Sequence, residues 1–108
     1  ETFFSRQVSS LGKSGDILFL ISTGGGNIEN KASMNLVYAA EVAKKNNIQV
    51  FTLAGKGGGI LKEISDYAVV VESSITSHIQ EAHIAIIHLI CEFLDEFDIS
   101  LRSSNDWL

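Results

Sequence analysis

Apolar residues fall along this chain in two kinds of block, short unbroken runs and longer stretches at helical spacing, and the two kinds take turns. Residues 1–11 place Phe3, Phe4, Val8 and Leu11 at helical intervals, and Gly12 is a natural stop. After the turn Lys13-Ser14-Gly15-Asp16 comes the unbroken apolar run 17–21, which predicts a strand buried on both faces, as in a parallel sheet. The helical period returns over 34–45 and stops at Asn46-Asn47. The unit then repeats, with a strand over 50–53, a glycine loop over 55–59, a short helix over 60–64, a strand over 67–71 and a long helix from about His78 to Phe97. Residues 98–108 show no clear period and read as a tail. Strand and helix alternating through short glycine-containing loops predict an α/β fold, its parallel sheet covered by helices on both faces. Three strands fall below the usual four to six, so the sheet is expected to be completed by a partner or by further strands.

A length of 108 residues at 45% apolar composition supports one small domain and no more. Thirteen acids against eight bases give a net charge of −5, the wrong sign for coating nucleic-acid phosphates, so no nucleic-acid partner is expected. Apolar runs stay below the eighteen or so residues that span a bilayer, and the N-terminus has no signal-peptide pattern, so no membrane partner is expected either. Cys91 is the single cysteine, which rules out an internal disulfide and points to the cytoplasm. The chain opens on Glu1 inside a helix-like segment, and residues upstream of it are expected.

Candidate chemistry gathers in two places. Ile21-Ser22-Thr23-Gly24-Gly25-Gly26-Asn27 follows a strand and leads into a helix, where open α/β sheets bind ligands. Glycines let the backbone approach an anion, the following helix offers unpaired N–H groups, and Ser22 and Thr23 add hydroxyls, so a phosphate is the simplest ligand; the same glycines would also serve as plain turn residues. Neither the dinucleotide fingerprint nor a P-loop ending is present, which disfavours nucleotides. Ser33 is placed to cap the next helix, to touch the ligand, or both. Gly55-Lys56-Gly57-Gly58-Gly59 reads first as a connecting loop, with Lys56 facing an anion as the alternative. The second place is the last helix, where His78, Gln80, Glu81, His83 and His88 bring all three histidines of the chain within eleven residues. Gln80 and His88 are about 80° apart around the axis and about 12 Å along it, close enough for two long side chains to converge on one ion; Glu81, His88, Glu92 and Asp95 equally form a solvated stripe. The rest of that helix is apolar over more than one face, which predicts packing on the sheet and on another subunit.

Together the segments FSRQV, GDILFLISTGGG, Ser33-x-Asn35, VFTLAGKGGG and HIQEAHIAIIHLICE resemble the C-terminal half of the phosphoheptose isomerase family, over residues 1–97. The resemblance implies a sugar-isomerase (SIS) domain: a three-layer sandwich with a parallel sheet, flavodoxin-like and doubly wound, of which residues 1–97 are the C-terminal part and the N-terminal half lies outside the chain. It further implies an aldose–ketose isomerase that converts sedoheptulose 7-phosphate to D-glycero-D-manno-heptose 7-phosphate for bacterial surface polysaccharide. By that similarity Ser22, Thr23, Gly24 and Ser33 hold the substrate phosphate, Gln80 contacts substrate and metal, Gln80 and His88 are ligands of a zinc ion, and His88 is the acid/base. A homo-oligomer, dimer or tetramer, through the last helix is expected.

Three departures from the family pattern stand out. Gly24 replaces a serine, extra residues at Gly26 to Ala32 precede Ser33, and Ser77-His78 stands where the family has Asp-Arg. The family's N-terminal zinc ligands and glutamate base have no counterpart in this chain, so it is expected to be incomplete for activity as it stands. A non-catalytic SIS module that binds a sugar phosphate, or a protein such as the bacterial replication initiator, is the alternative.

Overall fold

The computed structural model describes residues 3–105, with side chains over 3–102. Residues 1, 2 and 106–108, which the expected first helix and tail include, lie outside the described residues. Seven elements follow in order: α1 (Phe3–Leu11), β1 (Ile17–Ile21), α2 (Met34–Lys45), β2 (Gln49–Gly55), α3 (Gly59–Ile64), β3 (Tyr67–Val71) and α4 (Thr76–Asn105). The strands form one parallel sheet in the order β1-β2-β3, with Leu18 beside Val50, Leu20 beside Thr52, and Thr52 beside Ala68.

One face of the sheet carries the core. Leu20 and Val50 point to the same side and meet Val37, Ala40 and Ala43 of α2 and Leu61 of α3, with Val8 of α1 packed at the margin. α2 forms because strong helix formers (three alanines, two lysines, and one each of methionine, leucine and glutamate) fill eight of its twelve positions, and the fully buried Ala39, Ala40 and Ala43 let it lie close to its neighbours. Lys44 and Lys45 face its negative end, and Asn47, at φ 59, turns the chain into β2. The one polar side chain in the middle of this core, Thr52, is satisfied by the Ser65 hydroxyl at 2.6 Å.

Among the described residues, the opposite face is covered only where α4 begins. Gly55, at the carboxyl end of β2, makes room for the fully buried Ile79, since a Cβ there would come within 2.5 Å of the Ile79 side chain. Beyond that contact, Ile17, Phe19, Ile21, Tyr67 and Val69 remain exposed on strands, and Phe19 stacks on Phe51 at 5.2 Å between centroids. The expected burial of β1 on both faces is therefore corrected: its burial alternates, with Leu20 buried between the exposed Phe19 and Ile21, because no described element lies over that side. The α/β class and the parallel sheet hold.

A second correction concerns the end of the chain. Where residues 98–108 read as a tail, α4 continues unbroken to Asn105. Asp98 and Arg102, one turn apart, pair at 3.0 Å across its surface, a local support that an apolar period does not register. No helix among the described residues is long and apolar enough to cross a membrane.

Candidate functional site

The carboxyl end of β1 prolongs the ladder by one residue, the Ser22 N–H donating to the Leu53 carbonyl at 2.9 Å, and then the chain bends. Ser22 is 6% exposed, and its Oγ accepts from the Gly25 N–H at 3.0 Å while lying 2.9 Å from Ser33 Oγ. One hydroxyl pair thus joins the start of the glycine bend to the start of α2. Ser33 has a left-handed backbone, φ 54, and its side chain makes no cap hydrogen bond. Its carbonyl instead accepts from Leu36 and Val37, which leaves its hydroxyl for Ser22. The side-chain cap expected of Ser33 is therefore not formed, and its hydroxyl pairs with Ser22.

Gly25 and Gly26 both have positive φ, 72 and 89, and their carbonyls accept from Leu61 and Ile60 at 2.8 and 3.1 Å. The first turn of α3 is therefore spent on holding the bend in place. Gly58 presses its carbonyl against Gly25, so the second glycine cluster acts as a connecting loop and as a floor for the first. Lys56 is exposed on that loop. Gly24 differs from its neighbours in having open space where a side chain would start. The extra residues after the bend close on themselves: Asn27 N–H donates to the Ala32 carbonyl at 2.9 Å, and Asn27 Oδ1 accepts from the Glu29 and Asn30 N–H groups.

A cavity of about 490 Å³ opens at this place, lined by Ile21, Ser22, Thr23, Ser33 and, from α4, Gln80, His83, Ile84 and Ile87. Five of the sequence-derived site residues bear on it directly or by adjacency: Ser22, Thr23, Ser33 and Gln80 line it, and Gly24 lies next to Thr23 in the bend. His88 does not line it and is exposed on α4, as His78 and Glu81 are. Helix spacing explains the difference, because His88 follows Ile84 by one further turn away from the bend.

Sequence reasoning named His83 only as part of the histidine cluster and gave it no role. It is 2% exposed, its Nε2 lies 2.9 Å from the Ala54 carbonyl, and its Nδ1 has no partner. The signal was its position, four residues after Ile79 and four before Ile87 on the stripe that meets the sheet.

The zinc expectation meets a shortfall of donors. Among the described residues no three His, Cys, Asp or Glu side chains converge to hold a metal ion, and Gln80 with His88 offers two donors, below the three protein ligands of an open zinc site. The residues present do not by themselves make such a site.

No family model matches the chain. It is 41% identical over 95 residues to a phosphoheptose isomerase of Akkermansia muciniphila, spanning 88% of this chain and 47% of that protein. It is 47% identical over 93 residues to a phosphoheptose isomerase of Campylobacter concisus, spanning 86% and 46%. Among solved structures, a phosphoheptose isomerase from Francisella tularensis superposes with a TM-score of 0.80 at 34% identity, over 88% of this chain and 50% of that one. Another, from Neisseria gonorrhoeae, gives 0.77 at 35% identity, over 84% and 49%. The chain spans about half the length of these relatives, and in sequence and in fold it is similar to that half of a phosphoheptose isomerase.

Proposed function

We propose that the whole protein is an aldose–ketose isomerase that converts sedoheptulose 7-phosphate to D-glycero-D-manno-heptose 7-phosphate. The observation that carries this reading is the Ser22–Ser33 hydroxyl pair at the start of α2, on a cavity that Gln80 also lines. Similarity to phosphoheptose isomerases in both sequence and fold supports the reaction class. Ser22, Thr23, Ser33 and the backbone at Gly24 hold the phosphate, helped by the positive end of the twelve-residue α2. Gln80 faces the sugar. The reaction takes a proton from C1 and returns one to C2 through an enediol, so it needs an acid and a base near the sugar carbons. His88 is this chain's candidate for that transfer. Gln80 and His88 are its share of any zinc site, whose remaining ligands lie beyond the described residues.

Association through α4 belongs to the same reading. Ile84, Leu89, Phe93, Leu94 and Phe97 are exposed along it, an apolar surface of the kind that seats a second copy. A cytoplasmic location fits the exposed free thiol of Cys91.

The test is an assay of the full-length protein with sedoheptulose 7-phosphate, with and without chelator, beside His88→Ala and Ser22→Ala. Loss of acid/base help at His88 is expected to slow turnover by a factor on the order of 10²–10⁴. Ser22→Ala is expected to raise KM with a smaller effect on kcat. Unchanged rates in both variants would remove the reading.

A further inference from the structure

The buried imidazole of His83 has a chemical identity that its surroundings fix. A carbonyl oxygen only accepts hydrogen bonds, so the 2.9 Å contact with Ala54 requires the proton on Nε2. In the neutral ring Nδ1 is then a lone-pair acceptor, and it sits out of reach of water with no partner. A buried acceptor left unpaired costs free energy that a nearby donor recovers. Four side chains on the cavity carry such donors, Ser22, Thr23, Ser33 and Gln80. Ser22 and Ser33 share one hydroxyl proton between them and, like Thr23, belong to the bend and the start of α2, not to α4. Gln80 is on the same helix as His83, three residues earlier, the spacing at which helix side chains are neighbours.

We propose that His83 is a positioning residue for the Gln80 amide: the structure leaves Nδ1 unpaired and Gln80 exposed, and a turn of the Gln80 side chain over its own helix brings its NH₂ to Nδ1 as donor and directs the Gln80 carbonyl oxygen toward the cavity. An amide is symmetric in shape and opposite in chemistry at its two ends, so without such a partner Gln80 would present donor and acceptor alike. With it, the α4 wall of the cavity offers an acceptor for the hydroxyls of a bound sugar, opposite a wall of hydroxyl and N–H donors that suits the phosphate. Ala54 thereby specifies, through one imidazole, which end of a polar ligand lies against which wall. This inference rests on the sugar-phosphate reading for the ligand's identity, and its test requires no ligand.

The experiment uses the ¹⁵N-labelled chain in solution. A long-range ¹H–¹⁵N spectrum should show His83 protonated on Nε2 alone, and a scalar coupling across the hydrogen bond should link its Nδ1 to the Gln80 side-chain nitrogen. His83→Gln places an amide NH₂ where Nε2 was, so it keeps the donor to Ala54 and removes the acceptor at Nδ1. In that variant the Gln80 amide protons should exchange with water about fivefold faster, the worth of one neutral hydrogen bond, while the backbone amides of α4 stay protected. Gln80→Met removes an exposed side chain and spares the fold; it should abolish the coupling and shift the His83 Nδ1 resonance toward that of a free lone pair. A proton on Nδ1, or Gln80 exchange equal in the parent and His83→Gln, overturns the proposal. Failure of the phosphate reading would show elsewhere, as an absence of shifts at Ser22 and Gly24 on adding sedoheptulose 7-phosphate, with the His83 coupling intact.

Discussion

Three consecutive glycines, Gly24, Gly25 and Gly26, should respond to the same mutation in three different ways. At Gly25 a methyl group meets the Gly58 carbonyl, and the backbone is left-handed at φ 72. Alanine there incurs about 1–2 kcal/mol for the left-handed backbone. Moving Gly58 away also loosens the bonds from Leu61 to the Gly25 carbonyl and from Ile60 to the Gly26 carbonyl, each worth about 1 kcal/mol. The sum is about 3–4 kcal/mol, a large share of the roughly 5–15 kcal/mol that stabilises a small domain. Gly26→Ala combines φ 89 with a contact to the Val37 Cγ2 at 2.8 Å, a side-chain methyl that can give way, so about 2 kcal/mol is expected. At Gly24 the backbone is ordinary and the space is open, which predicts a change within about 0.5 kcal/mol. Urea unfolding followed by far-UV circular dichroism gives the three values. The order Gly25, Gly26, Gly24 follows from the packing against α3, and equal costs at Gly24 and Gly25 would refute it. Gly24→Ser then asks a second question at no cost in stability: a hydroxyl placed in that open space should tighten sugar-phosphate binding about fivefold, the worth of one hydrogen bond, by calorimetry on the full-length protein.

Other substitutions test the remaining contacts. Ser33→Ala takes from the buried Ser22 hydroxyl one of its two partners and leaves it the Gly25 N–H, with an expected loss of about 1 kcal/mol in urea unfolding and weaker binding of sedoheptulose 7-phosphate by calorimetry. Gly55→Ala pushes into Ile79 and should lift the start of α4 from the sheet at about 1–3 kcal/mol, seen as faster amide exchange at Ile79 and His83 with the α2 core unaffected. Phe93→Asp together with Phe97→Asp should shift the full-length protein toward monomer in sedimentation velocity; an unchanged distribution would place the interface elsewhere.

Where one physical signal dominated, the chain could be read directly. The run 17–21 between glycines, the run 67–71 and the helical stretch 34–45 all appear with the expected limits, because apolar period and turn residues agree there. β2 extends past 50–53 to Gly55, and no local pattern marks Gly55 as strand; its place depends on Val71 beside it and Ile79 above it. The exposed face of β1 was invisible for a related reason. An unbroken apolar run reports that both sides suit burial, and says nothing of whether another element supplies the cover. Of the candidate site, the hydroxyls and Gln80 were legible as motif residues, whereas the direction of the Ser33 side chain is set by a left-handed backbone that follows from the closed loop before it. His83 escaped because its partner, the Ala54 carbonyl, is a backbone atom twenty-nine residues away.

Two helices begin beside the glycine bend, and the structure separates them. α3 is six residues long, and two of its early N–H groups are taken by the Gly25 and Gly26 carbonyls, so it offers an anion little. α2 is twice as long and opens behind Ser33, whose hydroxyl already faces Ser22. Anion binding should therefore follow α2. In the full-length protein Asn35→Asp, which adds a negative charge in the first turn of α2, is expected to weaken sugar-phosphate binding, while Lys62→Glu on α3 should leave it nearly unchanged at physiological salt. Equal losses from the two would mean that the charge of the whole face, and not the aligned start of one helix, attracts the phosphate. The bend would then act as a hinge of glycine between two loops, with its hydroxyls serving the fold alone.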